Sequence, residues 1–245
     1  MHNRFSTGRA LSSEAVDALA TRGFVVLPGL FEGVELFRLQ EAYDAACASA
    51  APPDFRVGRT STRVDDFVNR GPEFDRVYTC EQALEAARHV IKGPFRLSAL
   101  HARTLHAGAM AQELHVDVPR ASAAWPMLGM ILMVDAFRPD NGATRFVPGS
   151  QHWPDVPEQV RADGAKTYEG ELLACGPAGS AILFHTSTWH GHTANTSGSG
   201  RRSLQVTYIP RLAQPATDFP GRMQAATLGR LGTVARYLLG LEENV

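Results

Sequence analysis

From about residue 95 the chain becomes a succession of short apolar segments cut apart by glycine and proline: "FRLSALHARTL", "QELHVDV", "MLGMILMVDAF", "ATRFVPGS", "SAILFH", "HGHTAN" and "RSLQVTYIP". Segments of this length, bounded by turn-forming residues, are strand signals. Their spacing favours a sandwich or barrel over parallel βαβ units. The last segment shows the clearest period. Ser203, Gln205 and Thr207 alternate with Leu204, Val206 and Tyr208, which gives a strand one polar and one apolar face. Arg201 shares the parity of the polar set.

The residues before this region read differently. "LSSEAVDALATRG" opens with a Ser-Ser cap, continues at helical spacing and ends at Gly23. "FVVLPG" is a short strand closed by a Pro-Gly turn. "FEGVELFRLQEAYDAACASA" places Leu36, Leu39, Tyr43 and Ala46 on one helical stripe, and "APPDF" breaks it. "CEQALEAARHVIKG" is again helical and ends at Gly93. Residues 55–79 are polar, carry five arginines and have no clean period, so they read as a lid, a substrate loop or plain surface. The tail predicts one or two short helices. With no internal repeat, low-complexity tract or linker, residues 1–245 read as one domain. Its helical part spans about 10–93, its β core about 94–212, and short helices follow.

Composition narrows the function classes. Hydrophobic residues make up 44% and charged residues 20%, ordinary values for a chain with a sizeable core. The formal net charge of −1 provides no basic field to hold nucleic acid or an anionic membrane. Cys47, Cys80 and Cys175 are odd in number, far apart and without C-x-x-C spacing. That argues against a disulfide framework or zinc ribbon and for three reduced, mostly buried thiols. The first twenty residues contain no apolar leader core, so a cytoplasmic location is expected. The longest strongly apolar run, residues 127–134, is far short of the roughly 20 residues that span a bilayer. No G-x-S-x-G elbow, Walker A loop or G-x-G-x-x-G fingerprint is present.

Two stretches carry candidate chemistry. In "HVD", His115 and Asp117 are two residues apart, so a strand would place an imidazole and a carboxylate on the same face. Two histidines and one carboxylate on one face of an ion form the facial triad of non-haem Fe(II) oxygenases, which leaves coordination positions open. A third ligand must come from elsewhere. "HTSTWHGHTAN" offers His185, His190 and His192 on or near predicted strands. Arg201, at the mouth of such a pocket, would suit a carboxylate, because its planar fork binds both oxygens.

The order "HVD", "NGATRFVPGSQHW", "HGHTANTSGSGRR" resembles the phytanoyl-CoA dioxygenase family of Fe(II)/2-oxoglutarate oxygenases. That family shows H-x-D, then N-G…P-G-S-H, then H-G…N…R. The early "GFVVLPGLFEGVEL" is similar to its opening strand and helix, and the likeness runs from about residue 12 to 210. One departure is that Gln151 follows "PGS" and the histidine comes one place later, at His152. The family's distal metal histidine begins an H-G pair, with Asn five and Arg eleven residues later. His190 fits, with Gly191, Asn195 and Arg201; His192 and His185 do not. The resemblance therefore implies His115, Asp117 and His190 as ligands, with Arg201 on the distal carboxylate of 2-oxoglutarate. His192 would share the face of His190, beside the cosubstrate carboxylate or in the substrate pocket. Gln112 and Thr144 are further candidate contacts to the cosubstrate. His185 is expected to support a strand end, and the turn pairs Asn141-Gly142 and Pro148-Gly149 to be architectural. A different metal site made by His101, His106 and His115 has no counterpart in the family.

The fold implied by the resemblance is a double-stranded β-helix, a cupin-like jelly roll, with flanking and mostly N-terminal helices. The implied activity uses Fe(II), 2-oxoglutarate and O2 to oxidise, most simply to hydroxylate, a small metabolite or natural-product intermediate, with release of succinate and CO2. Related halogenases have a small residue at the position of Asp117, so the carboxylate here argues against halogenation. The alternatives are a cupin-like metalloenzyme that is not an oxygenase and a non-catalytic jelly-roll binding protein. Arg201 in register argues against the first and the intact triad against the second. Arg56, Arg59 and Arg63 lie where an anionic group of the substrate could meet them. Substrate identity and oligomeric state are not specified.

Overall fold

A computed structural model describes residues 11–157 and 167–241. Helix α1 (Ser13–Arg22) starts and stops where the sequence predicts. The Ser12 hydroxyl accepts from the Ala15 amide at 3.2 Å, and Gly23 closes the helix at φ 82°, a left-handed conformation that side chains resist. The chain enters β1 (Phe24–Leu27), then α2 (Gly33–Ala48), which buries Leu39, Tyr43 and Ala46 and half-buries Leu36.

The aperiodic stretch is not plain surface. It forms a hairpin, β2 (Phe55–Val57) and β3 (Ser61–Val64), then two short 3-10 turns and helix α3 (Asp75–Thr79). Val64, Phe67, Val68, Phe74, Val77 and Tyr78 are all buried in the main core. Elements of three to five residues are too short to show a period, which is why the pattern did not reveal them. Helix α4 (Glu81–Ile91) ends two residues before Gly93. Lys92 takes the left-handed cap at φ 56°, and its amide donates to the Arg88 carbonyl.

The remaining strands are β4 (Phe95–Leu105), β5 (Leu128–Met133), β6 (Thr144–Phe146), β7 (Leu172–Ala174), β8 (Ala181–His185), β9 (His190–His192) and β10 (Arg201–Pro210). Three short helices follow, one more than expected: α5 (Phe219–Arg222), α6 (Ala225–Arg230) and α7 (Thr233–Leu239). A seven-stranded sheet runs β1-β8-β5-β10-β4-β3-β2, and a three-stranded sheet runs β7-β6-β9. Every registered pair is antiparallel. This double-sheet arrangement with flanking helices is the predicted jelly roll.

One expected strand differs. "QELHVDV" pairs as a single bridge, His115 with His190. The Gln112 amide reaches the His192 carbonyl and the His115 amide reaches the His190 carbonyl, so three residue steps face two. That is a bulge, and Pro119 has no amide with which to resume the ladder.

The large sheet is covered on both faces. Its outer face, with Leu100, Ala102, Leu132 and Leu204, packs on the helices. Its inner face, with Phe24, Ile131, Met133 and Phe184, packs on Phe146 of the small sheet. Each such side chain contributes about 1.5–3 kcal/mol by burial. All of β5 is buried because it lies between these layers, and its sequence is correspondingly apolar throughout. Where β4 and β10 instead turn His101, Arg103 and Gln205 inward, the sandwich opens into a cavity. Cys80 is buried, Cys47 and Cys175 are half-buried, and all three are free thiols. Among the described residues no helix is long and apolar enough to cross a membrane.

Candidate metal and cosubstrate site

The cavity has a volume of about 390 Å³. On its wall His115, Asp117 and His190 converge, each offering one ligand atom within 4.8 Å of the others. Asp117 Oδ1 lies 3.7 Å from His115 Nε2 and 3.6 Å from His190 Nε2. Among the described residues this is the one group of three metal-binding side chains so placed.

Local structure aims each ligand. His190 and His115 exchange backbone hydrogen bonds at 3.0 and 2.9 Å, which sets their rings 4.3 Å apart. The Asp117 amide donates to the Thr186 carbonyl at 3.0 Å, so the carboxylate is held by the loop that precedes His190. Ser150, of the "PGS" turn, anchors that loop from the other side: its Oγ accepts from the Trp189 amide at 2.8 Å and donates to the Val147 carbonyl at 2.7 Å. The ring of His190 is wedged between Phe146 and Phe184, with centroids 5.7 and 5.0 Å away. Gly191 is required by close approach. A Cβ there would stand 2.8 Å from the Gln112 carbonyl oxygen and 3.0 Å from that of Glu113.

The hydrogen bonds also choose the tautomers. His115 Nδ1 faces the Glu113 carbonyl at 3.1 Å, and His190 Nδ1 faces the Thr188 carbonyl at 2.8 Å. A carbonyl only accepts, so Nδ1 carries a proton in both rings and Nε2 is the atom turned toward Asp117; burial would lower the His190 pKa, but the charge of Asp117 outweighs it and raises it. Burial would raise the Asp117 pKa, but His190, His115 and Arg103 outweigh it and keep the carboxylate ionised below its usual range. Burial, reinforced by His190, pushes His115 down to about 4, which leaves it neutral and ready to ligate.

Arg201 lies deeper. It is 4% exposed, its Nε and one terminal nitrogen have no hydrogen-bond partner, and its guanidinium sits 3.8 Å from the centroid of the Phe137 ring. Burial, then the charge of Arg103, lowers its pKa to about 9. A buried cation without a carboxylate is costly, and an anion placed there would offset that cost. Asn195 explains the Asn of the motif. Fully buried, it donates to the His106 and Ser199 carbonyls at 3.0 and 2.8 Å and accepts from Ser197, fixing the turn that delivers Arg201.

The other predicted residues distribute as follows. His192 and Thr144 are cross-strand partners on β9 and β6, both buried and both lining the cavity. Gln112 lines its edge. His185 lies outside the ligand group, its Nδ1 accepting from the Ser187 amide at 3.3 Å and its ring near Trp125. His152 bonds back to the Ala20 carbonyl at 3.0 Å, so the displaced histidine ties its turn to α1. His106 bonds to Thr62, away from the cavity, while His101 lines the cavity wall and pairs with Gln205 at 2.9 Å. Sequence reasoning missed Arg103, which lines the cavity from β4. The signal was the alternation in "ALHARTL", where His101 and Arg103 share one parity and Leu100 and Ala102 the other.

A sequence profile described as phytanoyl-CoA dioxygenase matches residues 19–203. Dioxygenase sphC of Aspergillus fumigatus is 28% identical over 201 residues, covering 75% of this chain and 52% of its own length. Dioxygenase cdmA of Talaromyces verruculosus is 35% identical over 123 residues, covering 47% and 39%. The chain thus spans about half the length, or less, of these relatives. Among solved structures, HygX from Streptomyces hygroscopicus with nickel, 2-oxoglutarate and hygromycin B bound superposes with a TM-score of 0.70 at 17% identity, covering 84% of this chain and 90% of that one. The epimerase SnoN in complex with Fe3+, alpha ketoglutarate and nogalamycin RO gives 0.68 at 22% identity, covering 83% and 86%.

Proposed function

The chain belongs to the phytanoyl-CoA dioxygenase family, and from that premise we propose that it is an Fe(II)- and 2-oxoglutarate-dependent dioxygenase that hydroxylates a small metabolite or natural-product intermediate. The observation that carries this reading is the pairing, in one cavity, of a His/Asp/His group with a buried guanidinium lacking a carboxylate. A cupin-like isomerase needs the first and has no use for the second.

The residues fit the groups the family implies. Two imidazoles and one carboxylate suit Fe(II), and Arg201 suits the distal carboxylate of 2-oxoglutarate. When bound, iron, 2-oxoglutarate and dioxygen supply an oxidative decarboxylation to succinate and CO2 that provides the oxidising power for the substrate. The chain's part is placement and exclusion of water. His115, Asp117 and His190 would hold the ion with Nε2, a carboxylate oxygen and Nε2. Phe146 and Phe184 keep water from the His190 side.

We place His192 at the second of the two positions expected for it, the substrate pocket. Its Nδ1 donates to the Thr193 carbonyl at 2.9 Å, so its buried, unpartnered Nε2 presents a lone pair. Burial lowers its pKa to about 4, so it is neutral. A neutral acceptor repels a carboxylate, so His192 faces a donor on the substrate or a water. Thr144 can donate its hydroxyl and is the better cosubstrate contact on that wall.

The test is to load the metal-free protein anaerobically with Fe(II) and 2-oxoglutarate, admit oxygen and screen small molecules for coupled succinate. Substrate-dependent succinate is expected. Iron-loaded protein that never consumes 2-oxoglutarate would contradict the reading.

A further inference from the structure

The charges lining the cavity do not balance once the iron and cosubstrate are counted. Three arginines, Arg63, Arg103 and Arg201, face it, and Asp117 is the one carboxylate that does so among the described residues. Under the function proposed above, Arg201 is neutralised by one carboxylate of 2-oxoglutarate. The charge of Fe(II) is neutralised by Asp117 together with the other carboxylate. Arg63 and Arg103 are left over.

Protein partners absorb only part of that charge. Arg103 donates from Nε to the Ser61 hydroxyl at 3.2 Å, a neutral partner. Arg63 bonds to Asp65 at 2.7 Å, but Arg56 uses the same carboxylate. The arrangement is unfavourable as it stands. Arg56 is directly opposite Arg63 across β2 and β3, and Arg63 is directly opposite Arg103 across β3 and β4. Like charges in facing positions destabilise a sheet. Burial depresses the Arg103 pKa; Asp117 opposes that effect and Arg63 adds to it. Three guanidinium groups in a row, two of them at the cavity, make sense if an anion completes them. Farther along the same sheet the lining is of another kind: Ile131 of β5 and Phe184 of β8, with Met127 just before β5, are apolar.

We propose that the substrate is a small carboxylic acid whose carboxylate is bound by Arg103 and Arg63 and whose apolar body lies against Met127, Ile131 and Phe184. A guanidinium–carboxylate contact inside a cavity is strong and geometrically specific, so it would orient the acid relative to the metal. This inference rests on the dioxygenase reading.

The test uses the full chain loaded with Zn(II) and 2-oxoglutarate, which assembles the site without turnover. The probes are straight-chain and aromatic monocarboxylic acids, each beside its primary amide, titrated by calorimetry. Acids should bind at least about tenfold more tightly than their amides. Arg103→Gln and Arg63→Gln should each weaken acid binding about tenfold, a larger change than either makes in 2-oxoglutarate affinity. Arg103→Lys, which keeps the charge, should keep the preference for acid over amide and so separates charge loss from misfolding. Amides that bind as well as acids, or a panel in which no acid binds, would overturn the proposal. So would an Arg103→Gln protein that loses 2-oxoglutarate but not acid, because Arg103 would then serve the cosubstrate. If the wild-type chain fails to take up metal and 2-oxoglutarate, the dioxygenase reading falls and this one with it. If only the acids fail, the dioxygenase reading stands.

Discussion

Two parts of the cavity wall are built by different means. At the end holding Arg201 and His190, the backbone is locked by groups with one job each. Ser150 pins the loop before His190, Asn195 pins the turn before Arg201, and Gly191 lets residues 112–115 cross. Polar atoms at this end are buried and unpartnered, as on Arg201 and His192. On the rest of the wall, Arg63, His101 and Arg103 project from strand faces and Met127 from a loop, and Arg63 remains 42% exposed. A side chain on a sheet face can change without moving the backbone, whereas a side chain that fixes a turn cannot. The wall around His190 and Arg201 is therefore the constrained part, and the strand-face wall is the adaptable one.

The sharpest way to break this comparison is to exchange the roles of two histidines five residues apart. His190→Ala should abolish turnover, whereas His185→Ala should leave much of it. Equal loss in both, with folding intact by circular dichroism, would sink the ligand assignment. Next in size is Arg201→Gln, which should weaken 2-oxoglutarate about 100-fold, on the order of 3 kcal/mol. An unchanged affinity by titration would mean that the buried guanidinium serves something else. Gly191→Ala should destabilise the fold by about 1–3 kcal/mol in denaturant titration, because a Cβ would press on the Gln112 carbonyl. A neutral result would show that the crossing is looser than the structure has it.

A further test is a pH dependence. Burial holds His101 and His185 at about 4 in the folded chain, against an ordinary value of 6.5. Between these values the unfolded chain binds more protons, so stability is full above about pH 6.5 and is lost as pH falls toward 4. Thermal melts of the metal-free protein over that window should show a steady fall, and His185→Gln should flatten it. A flat wild-type profile would contradict buried, neutral histidines.

Legibility in the sequence followed the same division. Long periodic helices such as α1 and α2 could be read, down to the Ser12 cap and the Gly23 stop. The locked end of the cavity was reached only through the family resemblance, since the residues alone left His185, His190 and His192 open; the structure gives the motif's offsets a cause, with His190, Asn195 and Arg201 flanking one turn between two strands. The bulge that carries His115 and Asp117 could not be read, since its register depends on β9 and on no local pattern. Nor could Arg63 and Arg103 be paired from sequence. They are 40 positions apart and meet only through the β3–β4 register. The segment around Arg63 was left open between lid, substrate loop and surface because its arginines masked buried Val64, Phe67 and Phe74.

The central claim is that one ion is held by His115, Asp117 and His190 next to Arg201. Anaerobic titration of the metal-free protein with Fe(II), then with 2-oxoglutarate, tests it most directly by following the visible charge-transfer absorption of the complex. The account predicts that one equivalent of each saturates the signal in the wild-type chain. It predicts no signal in His190→Ala and a signal in Arg201→Gln that needs far more 2-oxoglutarate to develop. An undiminished signal in His190→Ala, or an unshifted midpoint in Arg201→Gln, would contradict it.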